Sequence, residues 1–159
     1  MGKKDDKNKK ASKPIICDNR KARFDYQIQE KFEAGISLMG TEVKSLRNGK
    51  ANLTDAYAEI RDNQAYLVQA HIEPYDKGGY VNHEPKRRRK LLLHRQEISK
   101  LIGKTQAKGL TLIPLKLYFK NGYVKVELGL GVGKKAHDKR KTIKEREVKR
   151  ELDRAIKNR

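Results

Sequence analysis

Little in this chain is equipped for covalent or redox chemistry. It has a single cysteine, Cys17, no tryptophan and only three phenylalanines in 159 residues. One cysteine excludes an internal disulfide and a thiolate metal cluster. Its neighbours Ile15, Ile16 and Asp18 mark it as a small apolar filler rather than a nucleophile. The four histidines, His71, His83, His94 and His137, are scattered without the spacing of a metal site. There is no G-x-x-x-x-G-K-S/T loop and no strand-linked G-x-G-x-x-G. Gly129, Gly131 and Gly133 form a G-x-G-x-G that runs into a charged segment, which reads as a flexible hinge rather than a nucleotide site. No catalytic constellation, cofactor site or metal site is expected. No run approaches the ~18 apolar residues of a membrane span. The lysine-rich start leads into no apolar signal core, so a cytoplasmic location is expected.

Acidic residues are scarce relative to basic ones. The chain carries 39 Lys and Arg against 20 Asp and Glu, a net charge of +19. Solubility is served equally well by either sign, so an excess this one-sided points to a polyphosphate partner. The first thirteen residues hold six Lys and two Asp, and residues 133–159 hold twelve Lys and Arg against five Asp and Glu. Subtracting +4 and +7 from +19 leaves +8 on residues 14–132, so the body is basic as well as the ends. Residues 1–14 read as a disordered, Lys-rich N-terminus, 15–132 as the folded body and 133–159 as a basic tail. The only large apolar residues of the tail are Ile143, Val148, Leu152 and Ile156. That is too little to offset its ordering entropy, so the tail is expected to stay mobile until a polyanion holds it as a helix.

Within the body, period-two segments dominate. Ile36, Leu38 and Gly40 alternate as a strand with a glycine bend, and a short helix follows over 41–46 with Thr41 as its cap. Ala56, Ala58 and Ile60, an Asp62-Asn63 turn, then Tyr66, Val68, Ala70 and Ile72 read as a hairpin. Residues 76–90 read as a long exposed loop ending in the run Lys86-Arg87-Arg88-Arg89-Lys90. Five adjacent cations repel one another unless an anion lies against them, and phosphate is the anion expected here. Among the tyrosines, Tyr75 and Tyr80 lie beside glycine loops and are the two expected to be exposed. A helix over 94–102 stops at Gly103. Asn121-Gly122 then joins two alternating runs, placing Leu115, Leu117 and Phe119 opposite Val124, Val126 and Leu128. Six or seven short strands and one or two small helices in ~115 residues fit a small closed β-barrel, with an oligonucleotide-binding (OB)-like placement of the helix between strand groups. A sandwich satisfies the same periodicity.

Five blocks then carry a resemblance. They are NRKARFDY (Asn19 to Tyr26), FEAGISLMGTEVKSLR (Phe32 to Arg47), RRKLLLHRQEI (Arg88 to Ile98), LIPLKLYFKNG (Leu112 to Gly122) and GKKAHDKR (Gly133 to Arg140). Together, collinearly from about Asn19 to Arg146, they closely resemble the SmpB family, the SsrA-binding proteins. The resemblance implies a non-enzymatic, monomeric, bacterial ribosome-rescue factor with an OB-like barrel. It would bind the tRNA-like part of transfer-messenger RNA (tmRNA, SsrA RNA). With elongation factor Tu and the aminoacylated tmRNA it would reach a stalled 70S ribosome for trans-translation. The tail would become helical in the empty mRNA channel.

By position, the resemblance assigns Asn19, Arg20, Glu33, Lys90, Leu91 and Leu92 to tmRNA binding, with Gly133, Lys134 and Lys135 at the tail junction. Arg20 and Lys90 would meet phosphates, and Asn19 a base or 2′-hydroxyl. Glu33 is open between such a contact and an ion pair that supports the barrel. His137, Asp138, Lys139 and Arg140 match the decoding-centre segment, with Lys144 and Arg146 adding phosphate contacts. His137 would stack on a base, and Asp138 would cap the induced helix. Two departures stand out. Gly131-Val132 replaces the Ala and basic residue common in the family, and Val148 stands where some members have tryptophan. A general OB-fold RNA-binding, ribosome-associated protein is the alternative, and an RNA-processing enzyme with an unrecognised site a third reading.

Overall fold

The computed structural model describes residues 14–158. The expectation for the Lys-rich N-terminus falls almost wholly outside the described residues. Along the chain come β1 (Ile15–Asp18), α1 (Arg20–Asp25), β2 (Tyr26–Ile36), α2 (Gly40–Arg47), β3 (Ala51–Asn52), β4 (Tyr57–Arg61), β5 (Gln64–Val68) and β6 (His71–Ile72). A 3-10 turn (Gly79–Val81), β7 (Arg89–Leu92), α3 (Arg95–Lys108), β8 (Thr111–Lys120), β9 (Tyr123–Gly133) and α4 (Ala136–Lys157) complete it. The fold is mainly β with several helices. Seven strands pair in the order β1-β8-β4-β5-β7-β2-β9, and β9 also pairs with β8; β3 and β6 form a separate two-stranded ladder.

The two hairpin turns follow from residues that tolerate positive φ. Asp62 and Asn63 (φ 51° and 58°) join β4 to β5, and Asn121 and Gly122 (φ 51° and 78°) join β8 to β9. Across the second turn Phe119 faces Val124 and Leu117 faces Val126 as expected. A bulge at Leu115 shifts the register, so Leu128 lies opposite Pro114 instead. Side chains from both hairpins, Leu67, Leu117, Leu128 and Leu130, meet Leu46 of α2, Leu91 of β7 and Leu101 of α3 in one core. A smaller cluster of Ala22, Ile113 and Leu115 seats α1.

Several elements depart from the sequence reading, each for a physical reason. Of the strand expected over 36–40 only Ile36 is in a strand, as the last residue of β2; residues 37–39 lie outside any strand and Gly40 begins α2. The alternation of β2 is masked in sequence by Glu30, half-buried among the apolar positions, whose carboxylate is held by Lys100 and Lys104 of α3. Those two ion pairs also carry α3 past Gly103 to Gly109, a left-handed C-terminal residue at φ 60°. The hydrogen bonds from Lys100 and Lys104 hold the Glu30 carboxyl below its ordinary value. The run 64–72 is two strands, because Gln69 at φ 62° breaks the extended backbone between β5 and β6. α2 starts after Met39, whose N–H donates to the Glu42 carboxylate at 2.8 Å; Thr41 lies inside the helix and is not its cap.

The hinge reading of the G-x-G-x-G is overturned. Gly129 and Gly131 are buried inside β9, which is clamped between β2 and β8. A Cβ on Gly131 would lie 2.5 Å from the Gln27 carbonyl oxygen, and one on Gly129 would lie 2.9 Å from Leu115. These glycines permit close approach of three strands; Gly133, with open space around it, ends the strand. The tail beyond is helical from Ala136 to Lys157 with no buried residue. Gly131→Ala should therefore cost about 2 kcal/mol and lower Tm by roughly 5–10 °C. Gly133→Ala should stay within about 0.5 kcal/mol of the parent. Thermal unfolding followed by circular dichroism of the two variants checks both, and equal Tm values would contradict the packing role.

Candidate nucleic-acid interface

The basic run 86–90 is only in part a solvated loop. Arg89 starts β7 fully buried, and the anion that lies against it comes from the protein itself. Glu42, on the inner face of α2 with Ser45 and Leu46, is 0% exposed. Its Oε1 accepts from Arg89 Nε (2.7 Å) and Arg87 Nε (3.2 Å), and its Oε2 from Arg87 Nη2 (2.8 Å) in addition to the Met39 N–H. Arg89 further donates to the carbonyls of Ala70 (2.7 Å) and Pro85 (3.0 Å). Burial pushes the Glu42 carboxyl up, but the hydrogen bonds from Arg87, Met39 and Arg89 outweigh it and hold the carboxyl below its ordinary value. The same carboxylate raises Arg87. His83 is buried beside this network, its Nε2 donating to the Ile72 carbonyl (3.0 Å) and its Nδ1 2.9 Å from Thr41 Oγ1.

Arg88 points outward and is also engaged. It lies 2.5 Å from Glu59 and 4.2 Å from the centre of the Tyr66 ring. Of the five cations only the exposed Lys86 and Lys90 lack an acidic partner among the described residues. The expectation of phosphate against the whole run is corrected for Arg87, Arg88 and Arg89, whose counter-charges are Glu42 and Glu59.

The other expected positions divide in the same way. Asn19 is 3% exposed and its amide is fully used inside the fold. Nδ2 donates to the carbonyls of Leu53 and Pro114 (3.0 Å each), and Oδ1 caps α1 by accepting from the Ala22 N–H at 3.1 Å. It therefore positions the neighbouring Arg20, which is exposed and has no acidic partner among the described residues. Leu91 is a core residue, while Leu92 is more than half exposed. Glu33 accepts from the Tyr118 hydroxyl and from Lys120 Nζ (2.8 Å), an ion pair across the outer face of β2 and β8. Burial and that carboxylate raise the Tyr118 phenol above its ordinary value.

The tail leaves the body at one point. The Lys134 N–H donates to the Asp25 carbonyl at 2.8 Å, and Lys135 occupies the position preceding α4. Asp138 lies within the first turn rather than at the cap, where a negative charge favours the helix dipole. Lys139 Nζ lies 3.1 Å from Asp25 Oδ1, and Lys139 and Arg146 approach the Phe24 ring at 6.0 and 5.6 Å. His137, Arg140 and Lys144 are exposed. Phe24, Asp25 and Glu42 were not singled out from sequence. For Glu42 a signal existed, since an acid three and four residues before Ser45 and Leu46 shares their buried face; for Phe24 and Asp25 none did.

The chain is similar to known proteins along most of its length. The family model described as SmpB protein matches residues 16–158. An SsrA-binding protein of Trichormus variabilis is 59% identical over 152 residues, covering 95% of this chain and 98% of the relative. One from Syntrophobacter fumaroxidans is 61% identical over 145 residues, covering 91% and 90%. A chain of the solved structure described as "tmRNA-SmpB: a journey to the center of the bacterial ribosome" is 56% identical with a TM-score of 0.65, covering 77% of this chain and 86% of that one.

Loss of the buried anion is the sharpest test of this network. Glu42→Gln leaves Arg89 buried without its counter-charge and should cost roughly 3–5 kcal/mol at pH 7, read from urea unfolding. Because the folded carboxyl lies below the unfolded value of about 4.3, Glu42 stabilises fully above that value. The contribution is lost as pH falls through the lower folded value. The gap between parent and variant should thus be constant from pH 8 to 5 and shrink below about pH 4. A gap that grew on acidification would reverse the assignment.

Proposed function

The chain belongs to the SmpB protein family, and from that membership we propose that it is an adaptor for tmRNA in trans-translation. The observation that carries the reading is where charge is left over. Within the basic run the three arginines are paired inside the fold with two carboxylates, Glu42 and Glu59. Arg20 on the body, Lys90 on β7, and Lys135, Arg140 and Lys144 at the tail have no acidic partner among the described residues. Those are cations at positions where the family binds RNA, free to exchange counter-ions for phosphates.

The body binds the tRNA-like part of tmRNA. The pairing order, running β8-β4-β5-β7-β2-β9 and back from β9 to β8, supports a closed OB-like barrel as its scaffold. Asn19 and Glu33 act by holding α1 and the outer face of β2 in place. The tail helix enters the empty mRNA channel of a stalled 70S ribosome. There Lys139 and Arg146 exchange Asp25 and Phe24 for phosphates, and His137 stacks on an RNA base. Delivery occurs with elongation factor Tu and aminoacylated tmRNA, in the cytoplasm, by a monomer and without catalysis.

The alternative, a general ribosome-associated RNA binder, shares the charge but not the selectivity. Competition at about 150 mM salt separates them, because at lower salt this charge binds any RNA. Binding to labelled tRNA-like domain of tmRNA should survive excess bulk tRNA and single-stranded RNA; equal displacement by all three would leave only the general binder. Truncation after Gly133, which keeps β9 whole, should leave that binding within about threefold of the full chain, since the body keeps its own phosphate contacts. The same truncation should abolish tagging of nascent chains on stalled ribosomes. Collapse of binding in the truncated chain would refute the division of labour between body and tail.

A further inference from the structure

The segment between β6 and β7 presents an aromatic side chain to solvent from a rigid frame. Tyr80 has 108% of its reference exposure, and Val81 beside it has 78%. A large apolar side chain held fully in water contributes nothing to the core, and in a loose loop it would fold back on the nearest apolar surface. This loop prevents that. Asn82 accepts from the Tyr75 N–H (3.1 Å) and the His83 N–H (3.2 Å) and donates to the Tyr75 carbonyl (2.8 Å), closing the loop at its neck. The Gly78 N–H donates to the Tyr75 carbonyl at 2.9 Å, and the Val81 N–H to the Gly78 carbonyl at 3.2 Å. Gly79 takes φ 54°, which turns the chain so that residue 80 stands at the tip. One residue beyond the neck, buried His83 ties the loop to Thr41 and to the Ile72 carbonyl.

The segment between β6 and β7 carries both signs of charge, but two lysines near its frame are left unpaired. Its acids Asp76 and Glu73 lie 3.0 and 4.0 Å from the one ammonium of Lys50, and exposed Glu84 stands two residues beyond the neck. Lys77, three residues before Tyr80, and Lys44, which sits 5.4 Å from the centre of the Tyr75 ring, have no acidic partner among the described residues. A pre-ordered aromatic face with unpaired ammonium groups nearby is the arrangement that stacks a nucleobase while the cations hold its phosphates. An apolar protein surface would gain from Tyr80 and Val81 but would bury those lysines unpaired, which is unfavourable.

We infer that Tyr80 is a stacking platform for an unpaired RNA base, a contact separate from the positions that the family resemblance assigns. The inference rests on the RNA-binding reading above. RNA of either kind met by the protein, the tRNA-like part of tmRNA or ribosomal RNA, offers such bases.

Because the chain contains no tryptophan, Tyr80→Trp introduces a single fluorophore at the tip. A fully exposed position tolerates the change, which unchanged thermal unfolding verifies. The variant is titrated with tRNA-like domain of tmRNA and, separately, with 70S ribosomes, while binding is followed independently by mobility shift or co-sedimentation. Quenching of the tryptophan by either RNA source is the expected result and identifies the source. Tyr80→Ala should weaken binding to that source about tenfold, and Tyr80→Phe should restore it. Binding with unchanged emission overturns the inference and leaves the adaptor reading standing. A spectral shift without quenching overturns it in favour of a protein contact. Failure of the unmodified chain to bind either RNA overturns both readings.

Discussion

A carboxylate without access to water, held between two guanidinium groups, is the constraint on which the rest of this structure depends. Glu42 reaches from α2 to Arg87 and Arg89, and Arg89 reaches on to the carbonyls of Ala70 and Pro85. One side chain therefore joins the helix, the start of β7 and the connections on both sides of β6. Such a group is weak evidence for added stability but strong evidence for a unique arrangement, since any other packing strands a buried charge. It also sets which side chains of β7 face outward. Because Arg89 points inward, alternation along β7 turns Lys90 outward, buries Leu91 and exposes Leu92. His83, from which the Tyr80 loop is hung, is held by Thr41 of α2 and by the Ile72 carbonyl.

Charge in this protein is thus sorted rather than merely accumulated. Arginines with fixed, multidentate geometry meet carboxylates and carbonyls within the fold, as their planar donors suit them to do. Several lysines, with compact hydrated heads, are left free on the surface and the tail, where phosphates can replace water. Others are paired, among them Lys50, Lys120 and Lys139. Lys100 and Lys104 hold α3 on β2 through Glu30, and they show that even a basic chain commits some of its lysines to architecture.

Much of the fold was legible in sequence where local chemistry decides it. The two hairpin turns need residues that accept positive φ, and Asp62-Asn63 and Asn121-Gly122 supply them. What was hidden depends on partners far away in the chain. β2 carries a half-buried glutamate that disguises its period, and only α3, seventy residues later, explains it. Gly129 and Gly131 look like a hinge beside Lys134 and Lys135, yet they mark the place where β2, β8 and β9 crowd together. The basic run reads in sequence as a phosphate site because its anion, Glu42, sits more than forty positions earlier on the buried face of α2. Residue-by-residue resemblance names positions by sequence alone. It does not separate exposed side chains such as Arg20 and Lys90 from ones, such as Asn19 and Leu91, that are buried in the fold.

The tail resolves an apparent contradiction between a mobile segment and an ordered helix. Its 22 residues bury nothing, so helix propensity rather than packing supplies most of its stability. Its attachment to α1 consists of one partly exposed ion pair, Lys139 to Asp25, and two cation contacts on Phe24. Exposed pairs of these kinds contribute about 0.2–1 kcal/mol each, so the latch amounts to roughly 1–3 kcal/mol. That is enough to favour one orientation over others by about five- to 150-fold. It is small beside the gain available from several phosphate contacts in a polyanionic channel, where each ammonium or guanidinium releases a counter-ion. The residues that hold the helix against the body are therefore the same ones that an RNA channel would take from it. On the proposed function, release would require no separate trigger beyond the charge of the RNA.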